Sequence, residues 1–502
     1  MPEITEDHLV DSIAEALQFV ACYHPPDFVR AMAHAYDREG NPGAKNAIAQ
    51  ILANSRMCAL GHRPICQDTG VANVFVKIGV QARLGWMRPL QEIVDEAVRR
   101  AYRLDTNPLR ASVVQDPLGE RKNTGDNTPA MIHVEMVAGD RVDVDVSAKG
   151  GGSENKTRFA VLNPSASVAD WVVQTVETLG AGWCPPGMLG LGVGGSVDKA
   201  MAMAKQALND EIDIFDLMDR GPRNRVEELR LEIYERVNAL GIGAQGLGGL
   251  TTVLDVKIRH FPTHAASLPV ALIPNCAATR HVHFSLDGSG PAEFVPPDLS
   301  LWPEISLDMA VEGARRLDLD ALDDEMLASL TPGETLLLSG TLFTGRDAAH
   351  KRMVEALDRG DPLPVDLRNR AIYYVGPVDP VGDEVIGPAG PTTSTRMDKF
   401  TRQVLSQTGL KVMIGKAERG PEAVSAIADH GAVYMIAVGG AAFLVSKAIR
   451  EAEPVAWRDL GMEAIYRLRV EDMPVTVAVD TRGDSIHVTG PKAWRRAPVL
   501  TA

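Results

Sequence analysis

Three cysteines lie in short loops marked by proline or glycine, where a thiol is free to bind a ligand. Cys66 lies in PICQDTG, Cys184 in GWCPPG and Cys276 in IPNCAATR. Cys22 and Cys58 instead fall within helical hydrophobic patterns, so we expect them to be buried. No CxxC spacing is present, which argues against a zinc ribbon or a ferredoxin-type run. Three loop cysteines can still hold one four-iron cluster, with one iron left open to substrate or water.

Glycine-rich loops suggest anion binding. KGGGSENKT (149–157) combines short polar side chains and two lysines with three glycines. Exposed backbone N–H groups in such a loop suit a carboxylate, although a flexible polar loop would read the same way. GLGVGGS (190–196) lacks the Lys-Ser/Thr pair of a P-loop, and we interpret it as a tight strand-to-helix turn.

Cations recur in turn-like segments, mostly in the second half of the chain. They are Arg346 and His350 in TGRDAAHK, Arg396 in GPTTSTRMD, Lys416 in IGKAERG and, in the first half, Arg110 in NPLRASV. Planar guanidinium forks match carboxylates, and a small dianion is best bound by a fork at each end. These residues therefore suggest a site for a small dianion.

Length, charge and cysteine usage limit the class of protein. The chain has 502 residues, more than one hydrophobic core usually supports, so we expect two domains. A formal net charge of −15 argues against nucleic acid or an anionic membrane surface as a partner. No run reaches the roughly 20 apolar residues of a membrane span, and the N-terminus resembles neither a signal nor a transit peptide. The few scattered cysteines predict reduced thiols in the cytoplasm.

Hydrophobic periodicity predicts a mixed α/β structure for the first half of the chain. The first ~60 residues have helical spacing, and 71–79 is a predicted strand. MIHVEMV (131–137) and RVDVDVS (141–147) alternate with period two around a Gly-Asp turn, which predicts a hairpin.

A proline- and glycine-rich segment at 288–303 predicts a connector to a second, compact α/β unit. In that unit SKAIREA (446–452) is a predicted helix and VTVAVDTRGDSIHVTG (475–490) a predicted hairpin. The predicted division is an N-terminal domain at 1–290, a linker at 291–325 and a C-terminal domain at 326–502.

Taken together, the motifs resemble the class I, iron–sulfur-dependent fumarate hydratases. The resemblance rests on PICQDTG, NPLRASVV, ERKNTGDNTPA, KGGGSENKT, TGRDAAH, GPTTSTRMD and the loops of Cys184 and Cys276. The related L-tartrate dehydratases usually consist of two subunits, so a single chain favours the fumarase branch. The resemblance implies an N-terminal cluster-binding domain, a C-terminal swivelling β/β/α domain and a homodimer.

The resemblance also implies roles for individual residues. It assigns a [4Fe–4S] cluster to Cys66, Cys184 and Cys276. The matching substrate-binding positions are Gln67, Asp68, Arg110, Gly152, Asn155, Lys156, Thr157, Arg346, Arg396 and Lys416. Thr392 matches the proposed base, Asp68 the proposed acid and His264 a site histidine. An unperturbed threonine hydroxyl is a poor base, so Asp68 and His264 stay open as alternatives.

The expected activity is reversible hydration of fumarate to (S)-malate. L-tartrate or mesaconate dehydration on the same fold is the nearest alternative. A non-catalytic iron or redox sensor is a third, but a sensor does not need the cationic loops. The predicted cluster ligands precede residue 290, and most predicted cations follow residue 325, so we expect a site shared between the two halves.

Overall fold

The chain is a mixed α/β protein, as predicted, and its longer strands form three sheets in a computed structural model that describes residues 2–305 and 313–497. Its strands are β1 Ile4–Thr5, β2 Val71–Gly79, β3 Leu84–Gly85, β4 Met131–Val137, β5 Val142–Lys149, β6 Arg158–Leu162, β7 Gly187–Gly194, β8 Val253–Phe261, β9 Leu268–Asn275, β10 His281–Leu286, β11 Arg315–Asp318, β12 Thr335–Thr344, β13 Ala371–Tyr373, β14 Val412–Gly415, β15 Val433–Ile436, β16 Ile449–Ala456 and β17 Ile465–Val479.

Its α-helices are interspersed with these strands in both halves. They are α1 Glu6–Cys22, α2 Pro26–Arg38, α3 Pro42–Gly61, α4 Leu90–Tyr102, α5 Gly151–Glu154, α6 Val168–Leu179, α7 Val197–Ala207, α8 Ile214–Arg220, α9 Arg225–Ala239, α10 Asp324–Ala328, α11 Asp347–Arg359, α12 Asp398–Thr408, α13 Pro421–Asp429, α14 Ala442–Lys447 and α15 Ile486–Trp494. No helix in the described ranges is long and apolar enough to cross a membrane.

The first sheet has the strand order β10-β5-β2-β4 and is covered by α1. The Thr5 hydroxyl caps α1 by accepting from the His8 N–H, and the buried stripe of α1 includes Leu9, Ile13 and Leu17. β4 and β5 are both strands, but the hairpin prediction is wrong because β2 lies between them. β2 pairs in parallel with β4 and antiparallel with β5, and its almost continuously buried side chains suit this central position.

The second sheet has the order β6-β9-β7-β8. β7 and β9 are antiparallel, with Met188 opposite Asn275. The start of β7 and the end of β9 therefore share one edge of the sheet, and their flanking loops are neighbours. β7 passes into α7 through Gly194 and Gly195, both with positive φ, so the predicted strand-to-helix turn is confirmed.

The third sheet closes on itself. Its order is β11-β12-β13-β14-β15-β17-β16, and β12 also pairs with β17. Thr476 of β17 is opposite Thr335 on one side and Ile436 on the other, so β12, β13, β14, β15 and β17 form a closed ring. β12 to β15 are mutually parallel, and their carboxyl ends face one rim.

Two predictions about the second half are wrong. The chain after β17 turns back through a single bridge between Val479 and Ser485 and continues as α15 instead of a second hairpin strand. In SKAIREA the helix α14 ends at Lys447, and β16 begins at Ile449. The long edge of β17 recruits β16 by antiparallel pairing, a partner that is distant in sequence and overrides local helix propensity.

The division into two domains stays a prediction. β11, within the predicted linker, pairs in parallel with β12 and so belongs to the third sheet. Parts of the predicted linker and C-terminal domain, 306–312 and 498–502, lie outside the described residues.

Candidate active site

The three loop cysteines come together at strand ends of the N-terminal half. Cys66 precedes β2, Cys184 precedes β7 and Cys276 directly follows β9. The Ala277 N–H donates to the Cys184 carbonyl at 3.1 Å, which ties two of these loops together. Cys184 has a φ of 59°, a left-handed conformation that is uncommon for a non-glycine residue and is often found at functional sites.

One ammonium interacts electrostatically with all three thiols. Burial raises the pKa of the Cys66 thiol, and Lys416 and Arg280 act against that rise. Burial also raises the pKa of Cys184, with Lys416 opposing it through charge and a hydrogen bond. Burial by itself would lower the pKa of Lys416, but Cys184, Cys66 and Cys276 outweigh it and raise that pKa. Lys416 thus places a positive charge among the three thiols, which opposes the effect of burial on Cys66 and Cys184.

Three cysteine thiols are the kind of donor set that a four-iron cluster with one open iron takes. Within residues 2–305 and 313–497 no three His, Cys, Asp or Glu side chains are arranged to hold a single metal ion. A cluster does not require such an arrangement, because its thiolates bind different iron atoms. The wall beside Cys184 is also kept free of side chains, since a Cβ at Gly439 would lie 2.6 Å from the Cys184 Sγ.

The remaining cysteines are buried, as predicted. Cys22 accepts a weak hydrogen bond from Asn107 at 3.5 Å, and burial raises its pKa to about 12. Cys58 is completely buried and packs in an apolar cluster with Ile65 and Cys66. Both side chains are enclosed in the packed core.

Asp68 is a carboxylate held by backbone donors. Its Oδ2 accepts from the Gly151 N–H at 2.8 Å, and its Oδ1 from the Gly70 N–H at 3.2 Å. Burial would raise the pKa of Asp68, but Arg110 and Arg280 outweigh this effect and lower it. The KGGGSENKT segment thus binds a carboxylate through the Gly151 N–H, and in this structure the carboxylate belongs to Asp68.

Three residues without a role in the sequence analysis fix the loops of Asp68 and Arg110 together. The amide of Asn127, with a φ of 62°, donates to the Gly70 carbonyl at 2.9 Å and accepts from the Ser112 N–H at 2.8 Å. The Thr69 hydroxyl donates to the Arg110 carbonyl at 2.8 Å. The Tyr102 hydroxyl donates to the carbonyls of Gly70 and Thr69. A signal for Asn127 was its position in ERKNTGDNTPA, a motif with turn-forming residues.

Arg280 was also missed, although it lies in the Cys276 loop. Its Nη1 donates to the Asp68 carbonyl at 2.7 Å, while its buried Nε has no partner among the described residues. Arg280 therefore joins the loops of Cys276 and Asp68 and adds positive charge to the site.

The C-terminal half contributes through the rim of the closed ring. β12, β13, β14 and β15 end just before Arg346, Gly376, Lys416 and Gly439, respectively. Carboxyl ends of adjacent parallel strands meet at one edge and commonly carry ligand sites. Parallel strand order thus brings together four loops that are separated by up to about ninety residues.

Arg110 and Arg346 approach each other over Gly376. Nη1 of Arg110 donates to the Gly376 carbonyl at 2.9 Å, and a Cβ at Gly376 would lie 2.5 Å from Nη1 of Arg346. Each guanidinium has a buried Nε without a partner among the described residues. Burial and the charge of Arg110 lower the pKa of Arg346 to about 10, although Glu463, 3.3 Å from its Nη2, acts against this. Two largely buried cations with unused donors are prepared for an anion.

The other predicted residues of TGRDAAH and GPTTSTRMD are differently engaged. Arg396 is half-exposed and forms a forked ion pair with Asp347, with Nε 3.0 Å from Oδ1. His350 is not a cation: burial lowers its pKa to about 4, and its Nδ1 hydrogen-bonds the Arg346 carbonyl.

Gln67 contacts the residue that precedes Thr392, and this contact joins the two halves of the chain. Gln67 accepts from the Cys66 thiol at 3.2 Å and donates to the Pro391 carbonyl at 3.1 Å. Thr392 is buried, and its carbonyl accepts from the Lys416 N–H at 3.2 Å. Gln67 is therefore hydrogen-bonded to a predicted cluster cysteine, and Thr392 is hydrogen-bonded to the main chain of Lys416.

Residues of the KGGGSENKT segment divide into two groups. A Cβ at Gly152 would lie 3.7 Å from the Lys416 Nζ, so Gly152 faces the site, and Thr157 has a buried hydroxyl without a partner among the described residues. Asn155 is exposed. Lys156 points to the Leu179 carbonyl, 2.9 Å away, and to the Glu418 carboxylate.

Within one chain, His264 lies far from the other predicted site residues. It is exposed in the loop between β8 and β9, whereas Cys276 follows the opposite end of β9. At about 3.3 Å per residue, β9 separates the two by roughly 23 Å.

Comparison with known proteins identifies the family of this chain. Residues 10–285 match the family model described as fumarate hydratase (Fumerase), and residues 288–490 match fumarase C-terminus. Fumarate hydratase class I, anaerobic, of Escherichia coli (strain K12) is 33% identical over 94% of this chain and 89% of its own. Fumarate hydratase 2 of Leishmania major is 31% identical over 90% and 81%, respectively.

A further relative covers about half of the chain. The putative L(+)-tartrate dehydratase subunit alpha of Methanocaldococcus jannaschii is 36% identical over 54% of this chain and 94% of its own. The two relatives above that cover most of the chain are fumarate hydratases. This chain therefore belongs to the class I fumarate hydratase family and is a hydro-lyase.

Proposed function

We propose that the chain catalyses the reversible hydration of fumarate to (S)-malate, with a [4Fe–4S] cluster on Cys66, Cys184 and Cys276. The observation that carries the proposal is the pair of guanidiniums, Arg110 and Arg346, with buried Nε–H groups that lack partners in the described structure. Buried donors of this kind are costly unless a ligand completes them, and a carboxylate matches their planar forks.

The substrate is a small dicarboxylate. One carboxylate binds the forks of Arg110 and Arg346. Lys416 and Arg280 supply further positive charge on the side of the cysteines, where negative charge builds up as the double bond is attacked. The proposed role of Arg396 is to hold Asp347 next to Arg346 through the ion pair between Arg396 and Asp347.

Proton transfer is assigned to Asp68 and Thr392. The lowered pKa of Asp68 keeps it ionised near neutral pH, so in the hydration direction it accepts a proton from the attacking water. The other alkene carbon receives its proton from the Thr392 hydroxyl, and the proton on Asp68 returns through the site to restore that hydroxyl. In dehydration the roles reverse, with Thr392 as base and Asp68 as acid. When bound, the cluster supplies a Lewis acid for the hydroxyl of the substrate.

L-tartrate or mesaconate (de)hydration is the second candidate, favoured by the similarity of about half of the chain to a putative L(+)-tartrate dehydratase subunit alpha. The two guanidiniums suit any small dicarboxylate, so they do not distinguish these acids. A non-catalytic iron or redox sensor is less well supported, because it has no use for two converging guanidiniums and an ionised Asp68 beside the thiols.

The proposed assembly is a cytoplasmic homodimer of chains with the predicted domains, 1–290 and 326–502, and a swivelling β/β/α fold for the second. In such a dimer His264 takes part only as the residue of a second copy, since β9 separates it from Cys276 within one chain.

The proposal is tested by anaerobic reconstitution with iron and sulfide, followed by ultraviolet absorbance of fumarate. We expect fumarate to be consumed and (S)-malate to form, faster than turnover of L-tartrate or mesaconate. Faster turnover of either of those acids would replace fumarate as the substrate. A complete cluster without turnover of any of the three would favour the sensor.

A further inference from the structure

The loop that carries Cys184 is held mainly by contacts from other parts of the chain. It connects α6 to β7, and its glycines at 180 and 182 have no side chains with which to pack. A single loop hydrogen bond, from the Cys184 N–H to the Ala181 carbonyl at 2.9 Å, supports it from within. The position of this thiol is therefore set by Trp183, which is fully buried in the core beside it, and by neighbours from other parts of the chain.

Glu418 is one of the neighbours that reach this loop. Its Oε2 accepts from the Ala181 N–H at 3.0 Å, and its Oε1 lies 3.5 Å from Nζ of Lys156. Lys156 in turn donates to the Leu179 carbonyl at 2.9 Å, so the ion pair spans the end of α6 and the start of the loop. Glu418 reaches this loop from the C-terminal half, two residues after Lys416.

The two glycines make this approach possible. A Cβ at Gly180 would lie 2.9 Å from Oε1 of Glu418, and a Cβ at Gly182 would lie 2.4 Å from Cε of Lys156. Gly180 also has a φ of 60°, where other residues are strained. The backbone of the loop is thus shaped to receive the carboxylate and the lysine.

On the other side of the loop, Gly439 of the C-terminal half contacts Gln245, which in turn contacts the loop. The Gln245 amide donates to the Pro185 carbonyl at 2.9 Å and accepts from the Gly439 N–H at 2.8 Å. Cys184 therefore lies between Gly439 and the segment that contains Lys416 and Glu418. Two loops from the rim of the third sheet, around Glu418 and around Gly439, therefore contact different parts of the cysteine loop.

We infer that Glu418 is a positioning residue through which the C-terminal half holds Cys184 in place for the cluster. The inference rests on the proposed function, since it takes Cys184 as a cluster ligand. Retention of the cluster then depends on contact between the two halves, and not only on the half that supplies the thiolates.

The test compares the full-length variants Glu418→Ala and Glu418→Gln with the matched control Glu422→Ala. Glu422 is exposed near the start of α13, close to Glu418 in sequence but away from the cysteine loop. Each protein is reconstituted anaerobically, iron and sulfide per chain are measured, and iron loss to a chelator is followed by absorbance. The thermal midpoint of each apoprotein is recorded in parallel.

We expect Glu418→Ala to lose iron roughly tenfold faster than wild type, because a charge-assisted hydrogen bond is removed. Glu418→Gln keeps an acceptor for Ala181 but not the charge for Lys156, so its rate should be intermediate. Apoprotein midpoints should stay near that of wild type, and Glu422→Ala should match wild type throughout.

Equal iron retention in wild type and both Glu418 variants would overturn the inference. So would a loss of apoprotein stability in both variants, because Glu418 would then support the fold in general. Failure of the proposed function gives a different result: Cys184→Ser would take up as much iron as wild type.

Discussion

Nη1 of Arg110 and the main-chain carbonyl of Gly376 form a 2.9 Å hydrogen bond that connects the two halves of the chain at the proposed carboxylate site. The absence of a side chain at Gly376 leaves the space that Arg346 fills. Gly376 thus sets the separation of two like charges, to which a bound anion would add a further counter-charge beside Glu463.

Gly376→Ala should weaken substrate binding without unfolding the protein. The new Cβ would lie 2.5 Å from Nη1 of Arg346, the flexible end of that side chain, so the guanidinium moves aside. We expect kcat/KM for fumarate to fall about tenfold or more, chiefly through KM. Gly43→Ala, where a Cβ meets only ordinary contacts, serves as the control. An unchanged KM would remove Gly376 from the site.

Serine at Cys66, Cys184 or Cys276 should abolish both cluster and activity. Each is one of only three thiolates in the proposed ligand set. Iron and sulfide per chain after anaerobic reconstitution provide the measurement. Cys22→Ser and Cys58→Ser, at buried thiols, should leave the iron content almost intact. Loss of the cluster in Cys58→Ser together with its retention in Cys184→Ser would disprove the ligand assignment.

Asp68→Asn should reduce kcat more than Thr392→Val. Asparagine keeps an acceptor for one backbone N–H but cannot take up the proton from water, so we expect kcat to fall by roughly 10²- to 10⁴-fold. The measurement is kcat and KM for fumarate in samples with equal iron content. If Thr392→Val has the larger effect on kcat, the principal proton-transfer group is Thr392.

Stability should fall as the pH drops from 6.5 towards 5. Burial lowers the pKa of His24 to about 3 and that of His350 to about 4. In this window the unfolded chain binds protons at both histidines, whereas the folded chain does not. Each histidine therefore lowers the free energy of unfolding by about 1.4 kcal/mol for each unit by which the pH falls in this window.

Urea unfolding of the apoprotein at pH 6.5 and 5.0 measures this dependence. His350→Gln should remove about 2 kcal/mol of the difference between the two pH values. His260→Gln, at an exposed histidine, should leave the difference unchanged. An identical pH dependence in His350→Gln and wild type would show that His350 is not the titrating group.

Inactive variants of Asp68 and His264 should complement each other if His264 acts from a second copy. A mixed dimer of Asp68→Asn and His264→Gln chains contains one site with both native residues, whereas each homodimer contains none. Co-expression with two different tags allows the mixed dimer to be isolated and assayed. Activity no higher than in either homodimer would exclude a role for His264 across the dimer.

Many features of this protein follow from short-range patterns in its sequence. The loop positions of Cys66, Cys184 and Cys276 were recognisable because proline and glycine mark the ends of strands locally. Burial of Cys22 and Cys58 followed from helical periodicity. The mixed α/β class, and the family motifs around Asp68 and Arg346, are likewise contained within contiguous segments.

Other features depend on contacts between distant residues, and only the tertiary structure decided them. β4 and β5 alternate as a hairpin would, but β2 separates them, because strand pairing is chosen by burial across the sheet and not by neighbouring residues. Lys156 reads as a substrate ligand in its motif, yet its ammonium contacts Glu418, a residue far along the chain. Gly376 had no local signal, since its role is to leave space for side chains from two other loops. Composition and periodicity encode which residues are buried and which elements form, whereas the partners of a charge or a glycine depend on how the chain packs.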